Sequence, residues 1–253
     1  MSKLTIKNKL YIFSALLPLG IAILGAVMYW LNAGMASNVN YSNTNNLVLK
    51  SLPFITYYLH ILLDIAFVAI SVSAISYARV YFGPATSSKI CLITIAAYAF
   101  SEVLSYIFSI FYNSFNAADL KAKLISLAIE LVFIALLDFI TPVFSSLYVK
   151  RITKNASKVG RLKTALASVP TLIIYFVIKF SELISYTLNA VKSFILQGNT
   201  ISSAMIVSII IDVIYYIVLY FAVPLSITLL TSYVLVRLTG PLKLKIKGDS
   251  FKK

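Results

Sequence analysis

Residues 203–238 read SAMIVSIIIDVIYYIVLYFAVPLSITLLTSYVLVRL, a stretch in which Asp212 is the only charge before Arg237. A helix needs about 20 consecutive apolar residues to cross the hydrocarbon of a bilayer. This run exceeds that length, so it spans and continues, tilted or kinked, beyond the hydrocarbon. Pro224 marks the place for a kink. The same reading, carried outward along the chain, gives five further spans at 10–31, 52–78, 90–116, 122–149 and 166–196, with Pro170 placed to open the fifth. The expected fold is all-α, a polytopic membrane protein of six transmembrane helices, with residues 1–253 forming a single integral membrane domain.

Composition agrees with that reading. Of 253 residues 60% are hydrophobic and 12% charged, with mean hydropathy +0.92, whereas soluble domains are about a quarter charged. One cysteine, Cys91, excludes an internal disulfide and argues against a thiolate metal site. One histidine, His60, excludes a multi-histidine centre. No metal and no cofactor is expected.

The net charge of +14 is distributed unevenly. Seventeen Lys and Arg fall in the N-terminal segment, the second connection, the fourth connection and the tail, against Lys50, Lys121, Lys123 and Lys192 in the alternate connections. The positive-inside rule then predicts that both termini are cytoplasmic. Residues 32–51 become an external Asn/Ser-rich loop, residues 150–165 a basic cytoplasmic loop and residues 239–253 a basic tail. The sequon at Asn40 falls outside on this topology, and the sequon at Asn155 inside. The first apolar run is longer than the about 7–15 residues of a signal-peptide core, so it is expected to remain as a span.

Within the spans a polar pattern recurs. Phe100-Ser101-Glu102-Val103-Leu104-Ser105-Tyr106 returns as Phe180-Ser181-Glu182-Leu183-Ile184-Ser185-Tyr186, with Ser109 and Asn113 answering to Asn189 and Ser193. Steps of four residues drift only about 40° around a helix, so each set forms one stripe. In the first span the matching stripe is Ser14, Pro18, Ala22 and Ala26, small but without an acid. Asp64, Asp138 and Asp212 are spaced evenly, each in an apolar run. The pattern predicts three tandem two-helix repeats with pseudo-threefold symmetry, and any polar path is expected to be richest on the side of helices three to six.

Small residues at this spacing serve helix packing in lipid. A carboxylate near a helix centre, by contrast, costs about 2.5–3.5 kcal/mol and usually faces the bundle interior or a wet cavity. The candidate path residues are therefore Asp64, Glu102, Glu130, Asp138, Glu182 and Asp212, together with Lys179, three residues before Glu182, and His60, four before Asp64. Both spacings bring side chains together on a helix. A protonated carboxyl also serves as an uncharged hydrogen-bond partner, and Ser71 and Ser145, seven residues after Asp64 and Asp138, share their helix faces. A transport path and structural hydrogen bonding are both open readings of the acids.

The motifs that carry enzymatic chemistry are missing: no GxSxG, HExxH, P-loop or GxGxxG occurs. The GxGD signature of aspartyl intramembrane proteases is absent too, the only Gly-Asp being Gly248-Asp249 in the tail. A non-enzymatic role is expected. Lys150, Arg151, Lys154, Lys158, Arg161 and Lys163 are candidates to touch anionic membrane lipids or nucleic acid. The tail Leu242-Lys243-Leu244-Lys245-Ile246-Lys247 alternates with period two, as an edge strand does.

The six spans, the basic stretch from Lys150 to Lys163, the Ile/Ser/Tyr/Lys-rich style and the missing enzyme motifs resemble the polytopic membrane subunit of the Ced-type archaeal DNA-import system. More distantly they resemble the inner-membrane channel subunit of type IV secretion systems. The resemblance lies in layout and transfers no residue roles. It implies a cell-membrane pore subunit for DNA import, working with a separate cytoplasmic ATPase and other membrane subunits, or as a homo-oligomer. A cation- or proton-coupled small-solute transporter and a non-catalytic membrane scaffold are the alternatives that the residues themselves allow.

Overall fold

A computed structural model describes residues 3–38, 47–112, 117–152, 165–197 and 202–239. They form α1 (Lys3–Asn38), α2 (Leu47–Phe82), α3 (Pro84–Tyr112), α4 (Ala117–Ile152), α5 (Val169–Leu196), α6 (Ser203–Ile217) and α7 (Val223–Thr239). A π-helical turn, Val218–Ala222, joins α6 and α7 into one rod. Six stretches are long and apolar enough to cross a bilayer, the last of them running continuously from Ser203 to Leu238. The protein is thus an all-helical, multi-pass membrane protein. The 36-residue α1, α2 and α4 measure roughly 54 Å at 1.5 Å per residue, well beyond a hydrocarbon core of about 30 Å.

Helix α2 takes the centre. Of its span 61% is buried, against at most 33% for any other, and it packs on α1, α3, α4 and α7. The reason is legible in the stretch Ala69-Ile70-Ser71-Val72-Ser73-Ala74-Ile75-Ser76-Tyr77-Ala78, all of it buried. Small residues on every side let several helices approach at once, the device that replaces hydrophobic burial within lipid. One apolar cluster holds the end where α2 meets α3, with Leu10, Tyr77, Tyr81, Ile90 and Leu235. A second holds the middle, with Ala22, Phe67, Ala97, Leu137 and Tyr175. Beyond these α6 has no buried residue.

This arrangement is not the threefold one that the sequence pattern predicts. Repeats would place the second, fourth and sixth spans equivalently, yet α2 alone is central. The three evenly spaced aspartates accordingly differ: Asp64 is half exposed, Asp138 is 2% exposed and Asp212 lies exposed on α6. Ser14 and Ser101 do not correspond in space either. Ser14 lies between Leu10 and Pro18 near the first cluster, whereas Ser101 lies beyond Ala97 of the second.

The connection expected between residues 78 and 90 is almost wholly helical. Gly83 alone separates α2 from α3, with φ +88°, and its N–H bonds to Ala78 O at 3.0 Å. Glycine takes this left-handed position without a Cβ clash, and Pro84 opens the next helix where no N–H is needed. Pro170 sits in the first turn of α5 as expected, and the π turn falls just before Pro224. The sequons at Asn40 and Asn155 and the period-two tail lie outside the described residues.

Candidate functional site

Three helices build a groove beside the middle cluster. Ala22 and Ala26 of α1, His60, Asp64 and Phe67 of α2, and Tyr98, Ser101 and Glu102 of α3 line about 270 Å³, open mouth included. Most of that space is the open mouth, and the enclosed part suits a single small ion or water. The small α1 residues create the space. Gly25 brings the α1 backbone against α2 so closely that a Cβ there would lie 3.5 Å from Asp64 Oδ1.

The predicted residues converge in part. His60 Nδ1 and Asp64 Oδ2 are 3.4 Å apart, one turn from each other on α2. On α3 the Tyr98 hydroxyl donates to Glu130 Oε2 of α4 at 3.3 Å, and its ring lies 5.3 Å from that of Phe67. Ser101 Oγ donates to the Tyr98 carbonyl at 2.8 Å, closing onto its own helix. Lys179 Nζ of α5 donates to both Glu182 oxygens, at 3.2 and 2.9 Å, and lies 5.9 Å from the centre of the Phe133 ring. The groove therefore brings Asp64 and Glu102 together beside His60, with Glu130 reached through Tyr98, a site suited to positive charge.

Aromatic rings tie α5 and the last span to this neighbourhood. Phe133 and Tyr175 stack at 6.3 Å, Tyr175 and Tyr220 meet at 6.1 Å, and Tyr58 and Tyr215 meet edge-on at 6.0 Å. Tyr220 belongs to the π turn, so the local widening places it against the bundle.

Asp138 stands apart. It is buried on α4, and Thr94 of α3 donates a short hydrogen bond to its carboxyl. Pro142, four residues on, has no N–H to offer the Asp138 carbonyl. Cys91 Sγ donates to that carbonyl at 3.3 Å. Cys91 and Thr94, on one face of α3, together satisfy both the side chain and the main chain of Asp138. Asp138 and Asp212, the latter exposed on α6, are not among the groove residues.

The two polar ladders also part company. Ser101 is buried at the groove, but Ser181, Ser185, Asn189 and Ser193 are exposed and form no seam within this chain. The groove therefore lies among helices one to three, not on the side of helices three to six. Sequence reasoning took Ala22 and Ala26 only as packing and passed over Tyr98, although Tyr98 precedes Glu102 by one helical turn. The Ser105 and Ser109 side chains and Asn113 lie outside the described residues, as do the Lys150 and Arg151 side chains and all of Lys154, Lys158, Arg161 and Lys163. Among the described residues no three His, Cys, Asp or Glu converge to hold a metal ion.

Comparison with protein-family models, curated proteins and solved structures finds no match for this chain.

Proposed function

We propose that this chain is a multi-pass translocation protein in which the His60–Asp64–Glu102 groove binds a small cation, the proton included. The observation that carries this reading is the meeting of Asp64 and Glu102, from two helices, in one groove of a membrane bundle. Intramembrane carboxylates in a wet cavity commonly mark ion and proton paths. With both termini in the cell's interior, as the basic residues favour, the groove lies in the outer half of the cell membrane. The expected class is a cation- or proton-coupled small-solute transporter.

Reconstituted vesicles carrying a pH-sensitive dye or a sodium indicator test it. An imposed gradient should drive cation flux through the native protein, and Asp64→Asn with Glu102→Gln should lower it roughly tenfold or more, the effect of a barrier change of about 1.4 kcal/mol. Unchanged flux in a folded double variant would overturn the reading. Asp138 supports a scaffold role as the second reading, since its bonds explain that acid without transport. The DNA-import reading, with its motor ATPase and nucleic-acid cargo, rests on layout resemblance. Fixed carboxylates at the groove repel phosphates, so it ranks below the cation reading, and normal DNA transfer between cells lacking the chain would remove it.

A further inference from the structure

The groove faces of α1 and α2 continue, away from Asp64, into buried hydroxyls of an unusual kind. Several buried or half-buried serines and threonines here close onto a carbonyl of their own helix, as Ser73 does on Ala69 O at 2.6 Å, Thr141 on Leu137 O at 2.7 Å and Ser146 on Pro142 O at 2.6 Å. Among the described residues Ser14, Ser71, Ser168, Thr228 and Ser232 have a buried hydroxyl without a protein partner, each at most 1% exposed. A buried hydroxyl without a partner is costly, and buried waters commonly satisfy such groups.

Ser168 stands apart at the start of α5; the other four are not scattered. Ser71 lies two turns from Asp64 on the same face of α2. Ser14 and Pro18 continue the Ala26–Ala22 face that lines the groove, and both are buried. Helices α1 and α2 run antiparallel, since Gly25 meets Leu63 and Asp64 while Leu10 packs in one cluster with Ala74 and Ala78. The last span runs parallel to α2, because Tyr215 meets Tyr58 and Leu235 joins the cluster of Ala74 and Ala78. That register brings Thr228 level with Ser71, and Ser14 and Ser232 level with Ile75. Pro18 also deprives the Ser14 carbonyl of its helical donor, so one residue there leaves both a carbonyl and a hydroxyl to satisfy.

We infer that Ser71 and Ser14, with Thr228 and Ser232 beside them, form a hydrated hydroxyl file that carries protons from the Asp64 groove toward the opposite end of the bundle. The inference rests on the cation reading above and makes the proton the coupling ion. A proton from water at the groove adds to the Asp64 carboxylate. The carboxyl then releases it to a chain of waters spanning the about 10 Å of helix between Asp64 and Ser71, and each further hydroxyl or water accepts one proton and passes on its own, so no charge accumulates along the file. The groups facing Asp64 are His60 on its own helix, Glu102 from α3, Glu130 from α4, and Lys179 and Tyr175 from α5.

Proton flux into dye-loaded vesicles should be compared for Ser71→Thr and Ser71→Val, and likewise at Ser14. Threonine and valine have nearly the same shape, and only threonine keeps the hydroxyl, so a merely structural role predicts equal outcomes or a valine variant that is the more stable. The expected result is near-native flux with threonine and roughly a tenfold loss with valine, at unimpaired thermal stability. Equal flux for the two variants would overturn the file while leaving the groove intact. Absence of proton flux from the native protein, with sodium flux present, would also overturn the file and leave the cation reading standing. Absence of any cation flux would overturn both.

Discussion

At the scale of single residues, what separates Asp138 from Asp64 is the supply of donors. Asp138 meets Thr94 through its carboxyl and Cys91 through its carbonyl, in a dry contact between α3 and α4. Removing the Thr94 hydroxyl leaves a buried carboxyl without that donor, a loss of about 1–3 kcal/mol. Thr94→Val should lower thermal stability in detergent correspondingly, whereas Thr94→Ser should preserve most of it. Asp64 lies in the open groove, with His60 one turn away. The sequence offered no way to tell these acids apart, because each sits in a similar apolar run. The distinction comes from the neighbouring helix, where Thr94 is level with Asp138, while Ala22, Ala26 and Gly25 leave room beside Asp64.

At the scale of helices, prolines and their compensations set the shape. Pro142 frees a carbonyl that Cys91 then occupies. Replacing Pro142 by alanine restores a backbone N–H for that carbonyl, so the two sites should be coupled. Cys91→Ala is expected to cost on the order of 0.5–1 kcal/mol in the native background and close to nothing alongside Pro142→Ala, with Cys91→Ser mild in both. Unfolding measured for the four corners of that cycle checks it, and strict additivity would contradict the assignment. Pro170 was readable in advance as the opening of α5, whereas the boundary at Gly83-Pro84 falls inside the connection expected between residues 78 and 90. The length of α2 was not, because nothing local to residues 79–82 announces that neighbouring helices cover Val80 and Tyr81.

At the scale of the molecule, the six apolar spans were legible from length and composition because membrane crossing is a one-dimensional requirement. The choice of α2 as the central helix was not, since it depends on which small faces meet in three dimensions. The polar ladders misled for the same reason: spacing fixes a stripe on a helix, but not whether that stripe turns inward, as at Ser101, or outward, as at Ser181. Orientation across the membrane rests on charge alone and is open to direct measurement. In a Cys91→Ser background, cysteines replacing Ser2 and Ser250 should react with an impermeant thiol reagent only after cells are permeabilised. A cysteine replacing Ser42 should react in intact cells, and the reverse pattern would invert the topology.

The single-residue link at Gly83 bears on biogenesis. A ribosome feeding α2 and α3 into the membrane delivers two helices separated by a single residue, so neither settles before the other arrives. They are expected to leave the translocon as a pair, with Asp64 and Glu102 already turned toward each other and away from the acyl chains. Lengthening that link with a flexible polar insert should therefore reduce the yield of membrane-integrated protein before it affects any property of the finished bundle.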